Sequence, residues 1–218
     1  VHDFEPFRVN KTNPTEFTLA DNADLIVSHS NKMTQAFVNR GIQTPTVVQP
    51  LFDYLGPNPP LANYSQQINF AGTFQKSPWL HDYQGPALTL FGARPKKWQE
   101  WVVPPTINWQ GNLDPDEITA VFKTGFGLIW DSDFDDKSYQ SYTKLNAPHK
   151  ASLYLKAGLP LIAWDQSHIG RLIQAHNLGF TISSLADLDS ILSQVTVDQY
   201  QDWQKNLVPW RDKVATGG

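Results

Sequence analysis

The chain has 218 residues, 40% of them hydrophobic and 17% charged, with twelve Phe, eight Trp and seven Tyr; it can bury a sizeable core and is too rich in aromatics for disorder. A formal net charge of -4 provides no broad basic field, which argues against nucleic acid as a partner. The absence of cysteine excludes a disulfide framework, a thiolate metal site and a cysteine nucleophile, and no apolar run approaches the ~20 residues that cross a bilayer.

Val1 runs straight into His2-Asp3 with no initiator Met or leader ahead of it, so the chain is read as a fragment of a longer protein. Asp24 to Ser28 (DLIVS) is a β-branched apolar run that predicts a strand. Ser30 follows as an N-cap to a helical pattern from Asn31 to Arg40, closed by Gly41. Thr46 to Gln49 predicts a second strand. Leu51 to Gln67 holds Gly56, Pro57, Pro59 and Pro60, lacks periodicity, and reads as a linker.

From Ile68 onward the alternation becomes regular. Strands are predicted at Ile68 to Ala71, Leu88 to Phe91 and Ile107 to Gln110, running into Gly72, Gly92 and Gly111. Asp114, Pro115 and Glu117 carry the signature of a helix start, for a helix to about Lys123. Phe126 to Trp130 (FGLIW) is a near-continuous apolar strand, as a sheet covered on both faces requires. Pro148 to Lys156 predicts a helix stopped by Gly158, followed by strand Leu161 to Trp164, helix Ile169 to His176, strand Phe180 to Ile182 and helix Leu185 to Leu192. A last helix, Val197 to Asn206, follows a Thr196 N-cap. The alternation predicts an α/β fold with a parallel, doubly wound sheet, in which ligands sit at the carboxyl ends of the strands.

The most informative cluster is Tyr142-Thr143-Lys144-Leu145-Asn146-Ala147-Pro148-His149-Lys150-Ala151-Ser152. With Pro148 read as the first helical residue, His149, Lys150 and Ser152 fall in or just past the first turn, where free N–H groups and the positive dipole end attract phosphate. Lys144 brings a second cation. Cations at a helix N-terminus are unfavourable by roughly 0.3–1 kcal/mol each, so an anion that offsets the cost is a fair inference. Composition alone leans the other way, toward surface lysines on an ordinary proline-started helix. Gly72-Thr73-Phe74-Gln75-Lys76-Ser77 is a small-residue turn in which backbone amides can approach a ligand; it reads equally as a plain strand-to-helix connection. Neither GxxxxGK[ST] nor GxGxxG occurs, which argues against P-loop and NAD chemistry.

Asp131-Ser132-Asp133, with Asp135 and Asp136 behind it, has the outline of a metal-binding DxD. The spacing is permissive, and a polar loop is the preferred reading; Asp131 alone, at a strand end, stays a site candidate. The six histidines show no metal spacing and no GxSxG elbow is present. His2-Asp3 and Glu5 offer a weak case for a base.

Taken together, HDFEPFR (2–8), ADLIVSHSNKM (23–33), LFDYL (51–55), INFAGTFQKS (68–77), GFGLIWD (125–131), YTKLNAPHKASLYLKAGLPLI (142–162) and the tail from Asp198 to Asn206 resemble a bacterial family of GT-B glycosyltransferases, the glucosyltransferase and β-1,6-galactofuranosyltransferase-like enzymes. The resemblance implies two Rossmann-like domains with the site in the cleft between them. It divides the chain into residues 1–50, the end of an acceptor-side N-terminal domain; a linker at 51–67; a nucleotide-sugar-binding domain at 68–195; and a C-terminal helix and tail at 196–218. It implies diphosphate contacts from Lys150 and Lys144, donor contacts from Tyr142 and Asn146, and a cleft wall at Gly72-Thr73. It departs from the family in lacking the βα units that precede the HD pair, and in having Ser132 where the family often has Gly.

The expected function is hexosyl transfer from a UDP-sugar (glucose, galactose or galactofuranose) to a hydroxyl of a glycan or glycoprotein, in exopolysaccharide assembly or adhesin glycosylation. The donor-binding set is Gly72, Thr73, Lys76, Asp131, Tyr142, Lys144, Asn146, His149, Lys150 and Ser152, with no metal and no cofactor beyond the donor; the catalytic residue is unassigned. A cytoplasmic protein is expected, and a homo-oligomer is left open. The rival reading is a non-catalytic, transferase-like partner subunit that binds acceptor protein; a nucleotide-sugar epimerase is disfavoured by the missing GxGxxG.

Overall fold

The computed structural model describes residues 3–9, 14–94 and 102–217. Helices α1 (Glu5–Arg8) and α2 (Pro14–Asp21) lead into strand β1 (Ile26–Ser28), helix α3 (Asn31–Val38) and strand β2 (Thr46–Val48). The two strands pair in parallel, Ile26 opposite Thr46. Ser30 caps α3 by accepting from the Met33 N–H, and Met33 and Phe37, one turn apart, bury the helix against Phe4, Ala20, Ile26 and Ile42. Tyr142, from far along the chain, completes this small core. Neither α1 nor α2 is foreseen in the sequence reading, because both are short and α2 has almost no apolar periodicity.

The larger unit is a six-stranded, wholly parallel sheet built from β3 (Asn63–Ala71), β4 (Leu88–Phe91), β5 (Ile107–Trp109), β6 (Thr124–Ile129), β7 (Leu161–Trp164) and β8 (Gly179–Ile182). Its order is β5-β4-β3-β6-β7-β8. The chain winds outward from β3 in one direction, returns, and winds outward from β6 in the other. The crossover between β3 and β6 therefore opens a crevice at their carboxyl ends, where α/β sheets bind ligands.

Helices α4 (Pro115–Val121), α5 (Tyr139–Tyr142), α6 (His149–Ala157), α7 (His168–His176), α8 (Leu188–Leu192) and α9 (Val197–Thr216) complete the unit. One face of the sheet is covered through Ile118, Ala151, Tyr154, Leu155, Ile169, Ile173, Leu207 and Val214. The other packs Phe70, Phe126, Leu128 and Ile162 against Leu80, Leu188, Leu192 and Tyr200. Double coverage is why β4 and all but the first residue of β6 are buried without alternation.

Three boundaries differ from the sequence reading. Strand β3 starts at Asn63, within the stretch read as a linker, because Tyr64-Ser65-Gln66-Gln67 lacks an apolar signal; Asn63 pairs with Thr124 ahead of a register irregularity. The segment from Leu185 begins as a 3-10 turn, Leu185–Asp187, before α8. Helix α9, capped by Thr196 and Gln199, continues through Pro209 to Thr216 rather than ending at Asn206. Proline removes a helical hydrogen bond, but the buried face Tyr200, Trp203, Leu207, Arg211 and Val214 continues past it, and tertiary packing outweighs that loss.

Candidate functional site

Strand β3 delivers Gly72 to the crevice. A Cβ on Gly92, at the end of β4, would lie 1.9 Å from the Gly72 carbonyl oxygen, so the two strand ends can approach only because Gly92 has no side chain. On the other side β6 delivers Asp131. Helix α6 closes the floor: Pro148 is its N-cap, with extended φ -71 and ψ 144 and no side-chain capping bond. This corrects the sequence reading by one residue, since His149 rather than Pro148 is the first helical position. Gly127 lets α6 lie close on β6, as a Cβ there would fall 2.3 Å from Tyr154 Cγ, and the Tyr154 hydroxyl accepts from the Ala71 N–H at 2.6 Å.

These elements enclose a cavity of about 350 Å³ lined by Gly72, Thr73, Lys76, Asp131, Tyr142, Asn146, His149 and Lys150. Lys150 Nζ lies 3.5 Å from Asp131 Oδ1, with side chains 15% and 20% exposed, and 4.6 Å from the Phe70 ring centroid. It is thus not a solvated surface lysine. Burial raises the Asp131 carboxyl above its ordinary range, and Lys150, Arg8 and Lys76 oppose that rise. Three cations thus act on one carboxylate at the mouth of a helix whose dipole also favours negative charge. The Tyr142 hydroxyl accepts from the Phe4 N–H at 3.2 Å, and burial pushes it up to about 12. Asn146 Oδ1 is buried without a hydrogen-bond partner among the described residues, an acceptor that a ligand hydroxyl would satisfy.

Two predicted contacts lie elsewhere. Lys144 extends toward Trp164 at the end of β7, Nζ 5.1 Å from the ring centroid, while its carbonyl accepts from Arg171 Nη2 at 2.8 Å; it stays at the carboxyl edge of the sheet but outside the cavity lining. Ser152 is fully buried. As the fourth residue of α6, it is turned by the helical period to the side opposite Lys150, into the core, and its Oγ has no hydrogen-bond partner among the described residues.

The acidic run divides its roles. Asp133 accepts from the Gln140 and Ser141 N–H groups at 2.8 and 3.2 Å and so holds the start of α5. Asp136 pairs with Lys137 at 3.1 Å. Among the described residues no group of three His, Asp or Glu side chains could hold a metal ion. His2 lies outside the described residues. Asp3 lines the cavity, and Glu5 is engaged by Arg8.

Several lining residues escaped the sequence reading as site residues: Asp3 as a wall of the donor cavity, Arg8, Phe52 and Tyr139, whereas Ser77 closes the Gly72–Ser77 turn already singled out. Phe52 stacks on His149, centroids 4.0 Å apart and planes at 15°. Arg8 and Phe52 do lie within the motifs HDFEPFR and LFDYL, which was the available signal; Tyr139 carried none. A second, mostly apolar cleft of about 460 Å³ adjoins the first through His149 and Lys150 and is lined otherwise by Tyr54, Ala71, Leu113, Ile118 and Leu153.

Comparison with known proteins identifies the family and the fold. Residues 68–218 match the family described as glucosyltransferase 3-like, C-terminal domain, and residues 1–51 match its N-terminal domain. The chain is 26% identical over 204 residues to the β-1,6-galactofuranosyltransferase WbbI of Escherichia coli (strain K12), covering 89% of this chain and 60% of that protein. It is 24% identical over 209 residues to glucosyltransferase 3 of Streptococcus gordonii, covering 93% and 61%. The chain thus spans about three-fifths of the length of these relatives. Among solved structures, Anabaena HepE in complex with UDP-glucose superposes with a TM-score of 0.63 at 14% identity, over 93% of this chain and 63% of that one. Sucrose-phosphate synthase from Thermosynechococcus elongatus gives 0.62 at 15%, over 94% and 57%. At such identities the likeness is one of fold, and that fold is the α/β, GT-B type.

Proposed function

The chain belongs to the glucosyltransferase 3-like family, and we propose that the protein it represents transfers a hexosyl group from a UDP-sugar, carrying glucose, galactose or galactofuranose, to a hydroxyl of a glycan or glycoprotein. The observation that carries this reading is the cavity at the β3/β6 crossover, where Lys150 and Lys76 meet the uncapped N-terminus of α6. In it the diphosphate would lie against the α6 amides and the two lysines, with the uridine entering the adjoining apolar cleft beside Leu113, Ile118 and Leu153. Asn146 Oδ1 would accept from a sugar hydroxyl. Lys144, held over Trp164, would act on the diphosphate only through its field at the sheet edge.

Negative charge grows on the departing diphosphate as the glycosidic bond breaks. Donors already fixed in position stabilise that charge without reorganising, and no resident cofactor or metal is needed for it. The HepE complex with UDP-glucose supports the same class of donor. No described helix is long and apolar enough to cross a membrane. The setting that goes with this proposal is the bacterial cytoplasm, in exopolysaccharide assembly or protein glycosylation. The test is calorimetric titration of UDP and uridine. Lys150→Met should weaken UDP binding by about 10- to 100-fold, since a charged hydrogen bond contributes about 1.5–3 kcal/mol, and leave uridine unaffected. Wild-type protein that binds neither UDP nor any UDP-hexose would overturn the reading.

A further inference from the structure

Arg8 sits on α1, outside the nucleotide-binding sheet, yet lines the same cavity as Lys150. Its side chain is only 10% exposed, although both of its carboxylate partners, Asp3 and Glu5, are half in solvent at 53% and 46%. An arginine placed merely to pair with two surface carboxylates has no reason to be buried more deeply than they are. Both contacts fall on a single nitrogen: Nη1 is 2.9 Å from Asp3 Oδ2 and 2.7 Å from Glu5 Oε1. Nε and Nη2 have no hydrogen-bond partner among the described residues.

The guanidinium is clamped from other sides. Its centre lies 4.9 Å from the Tyr139 ring centroid and 5.9 Å from that of Tyr142. The backbone is pinned as well, because the Ser138 N–H donates to the Arg8 carbonyl at 2.7 Å and Val9 bridges Lys137. The fork is therefore pre-positioned, with one nitrogen used to hold it and the remaining donors unspent. Neither Nε nor Nη2 is among the buried atoms left without a partner, so both reach solvent and can exchange water for an anion, and a planar fork suits phosphate oxygens in a way an ammonium does not. Across the cavity Arg8 acts on Asp131 together with Lys150 and Lys76.

We infer that Arg8 is a donor-contacting residue: its free edge takes the diphosphate of the nucleotide-sugar from the side opposite Lys150, so that the N-terminal segment supplies part of the phosphate site. This rests on the donor reading above. Asp3 and Glu5 act as its positioning residues, and Tyr139 and Tyr142 keep its plane fixed.

The experiment is titration calorimetry of Arg8→Lys, Arg8→Ala and Glu5→Gln with UDP and with uridine, alongside thermal melts. Arg8→Lys keeps the charge and loses the fork, and should weaken UDP by about tenfold; Arg8→Ala should weaken it by about 10- to 100-fold. Uridine affinity should stay within about twofold for both, because no phosphate is present to lose. Glu5→Gln replaces a charged acceptor of Nη1 by a neutral one and should weaken UDP by about two- to fivefold with uridine unchanged. If wild type binds UDP and Arg8→Lys binds it equally well, the inference is overturned while the donor reading stands; equal losses for UDP and uridine also overturn it, since they mark a wall residue. Wild type that binds no UDP fails the donor reading itself. Should Arg8→Ala not fold, Arg8→Lys alone decides.

Discussion

Replacing Gly127 by alanine tests the link between the fold and the site at one atom. The added Cβ would stand 2.3 Å from Cγ, 2.4 Å from Cδ2 and 2.7 Å from Cβ of Tyr154. Carbon atoms rest at about 3.5–4.0 Å, so relief requires a movement of roughly 1 Å or more between β6 and α6. Neither side yields easily. Tyr154 is fully buried, its hydroxyl is tied to Ala71, and two residues further on Lys156 is anchored to the Tyr54 and Leu55 carbonyls. Overpacking of this kind costs about 1–3 kcal/mol, which for a chain of this size lowers Tm by about 2–4 °C per kcal/mol. Because α6 also carries His149 and Lys150, a displaced helix should weaken UDP binding by about tenfold, a loss of about 1.4 kcal/mol. Differential scanning calorimetry and UDP titration of Gly127→Ala read both effects. An unchanged Tm would refute the packing argument, and a lowered Tm with intact UDP affinity would refute the claim that this contact sets the height of α6 beneath the cavity.

Two further outcomes follow from the same geometry. Burial raises the Asp131 carboxyl, so the folded state holds its proton more tightly than the unfolded chain, and stability falls as pH rises from the ordinary value of 3.8 through the raised one. Asp131→Asn removes that titration: its Tm relative to wild type should climb with pH across this window, and a constant difference would contradict the assignment. Tyr154→Phe leaves the Ala71 N–H without the hydroxyl it donates to at 2.6 Å; at this partly exposed position the cost should be about 1 kcal/mol, seen as a Tm lower by about 2–4 °C in a circular-dichroism melt.

The elements that announced themselves share a physical cause. Strands β4, β6 and β7 are short apolar runs bounded by glycine or polar residues, and α3 and α9 begin at side chains that do cap them, Ser30 and Thr196. Local chemistry is enough there. Where the backbone is held by distant partners it is not. The first half of β3 is polar and is a strand only because β6 lies beside it; α9 survives Pro209 because its inward face keeps packing; and α1 is held by its backbone bond to Ser138 and its bridge at Lys137.

The site divides in the same manner. Sequence by itself determined that a helix entered at a proline after an apolar strand carries Lys150 and His149 and that glycines end the neighbouring strands, since each of these depends on residues adjacent in the chain; the link to sugar transfer came from the family resemblance of the motifs. Only the tertiary structure decided which of the other candidates share that space. The helical period sends Ser152 into the core, Trp164 draws Lys144 one strand aside, and the docking of α1 across the 134–142 segment brings in Arg8 from more than a hundred residues away. Proximity of that kind follows from the β3/β6 crossover and the packing built upon it, which no local stretch of sequence encodes.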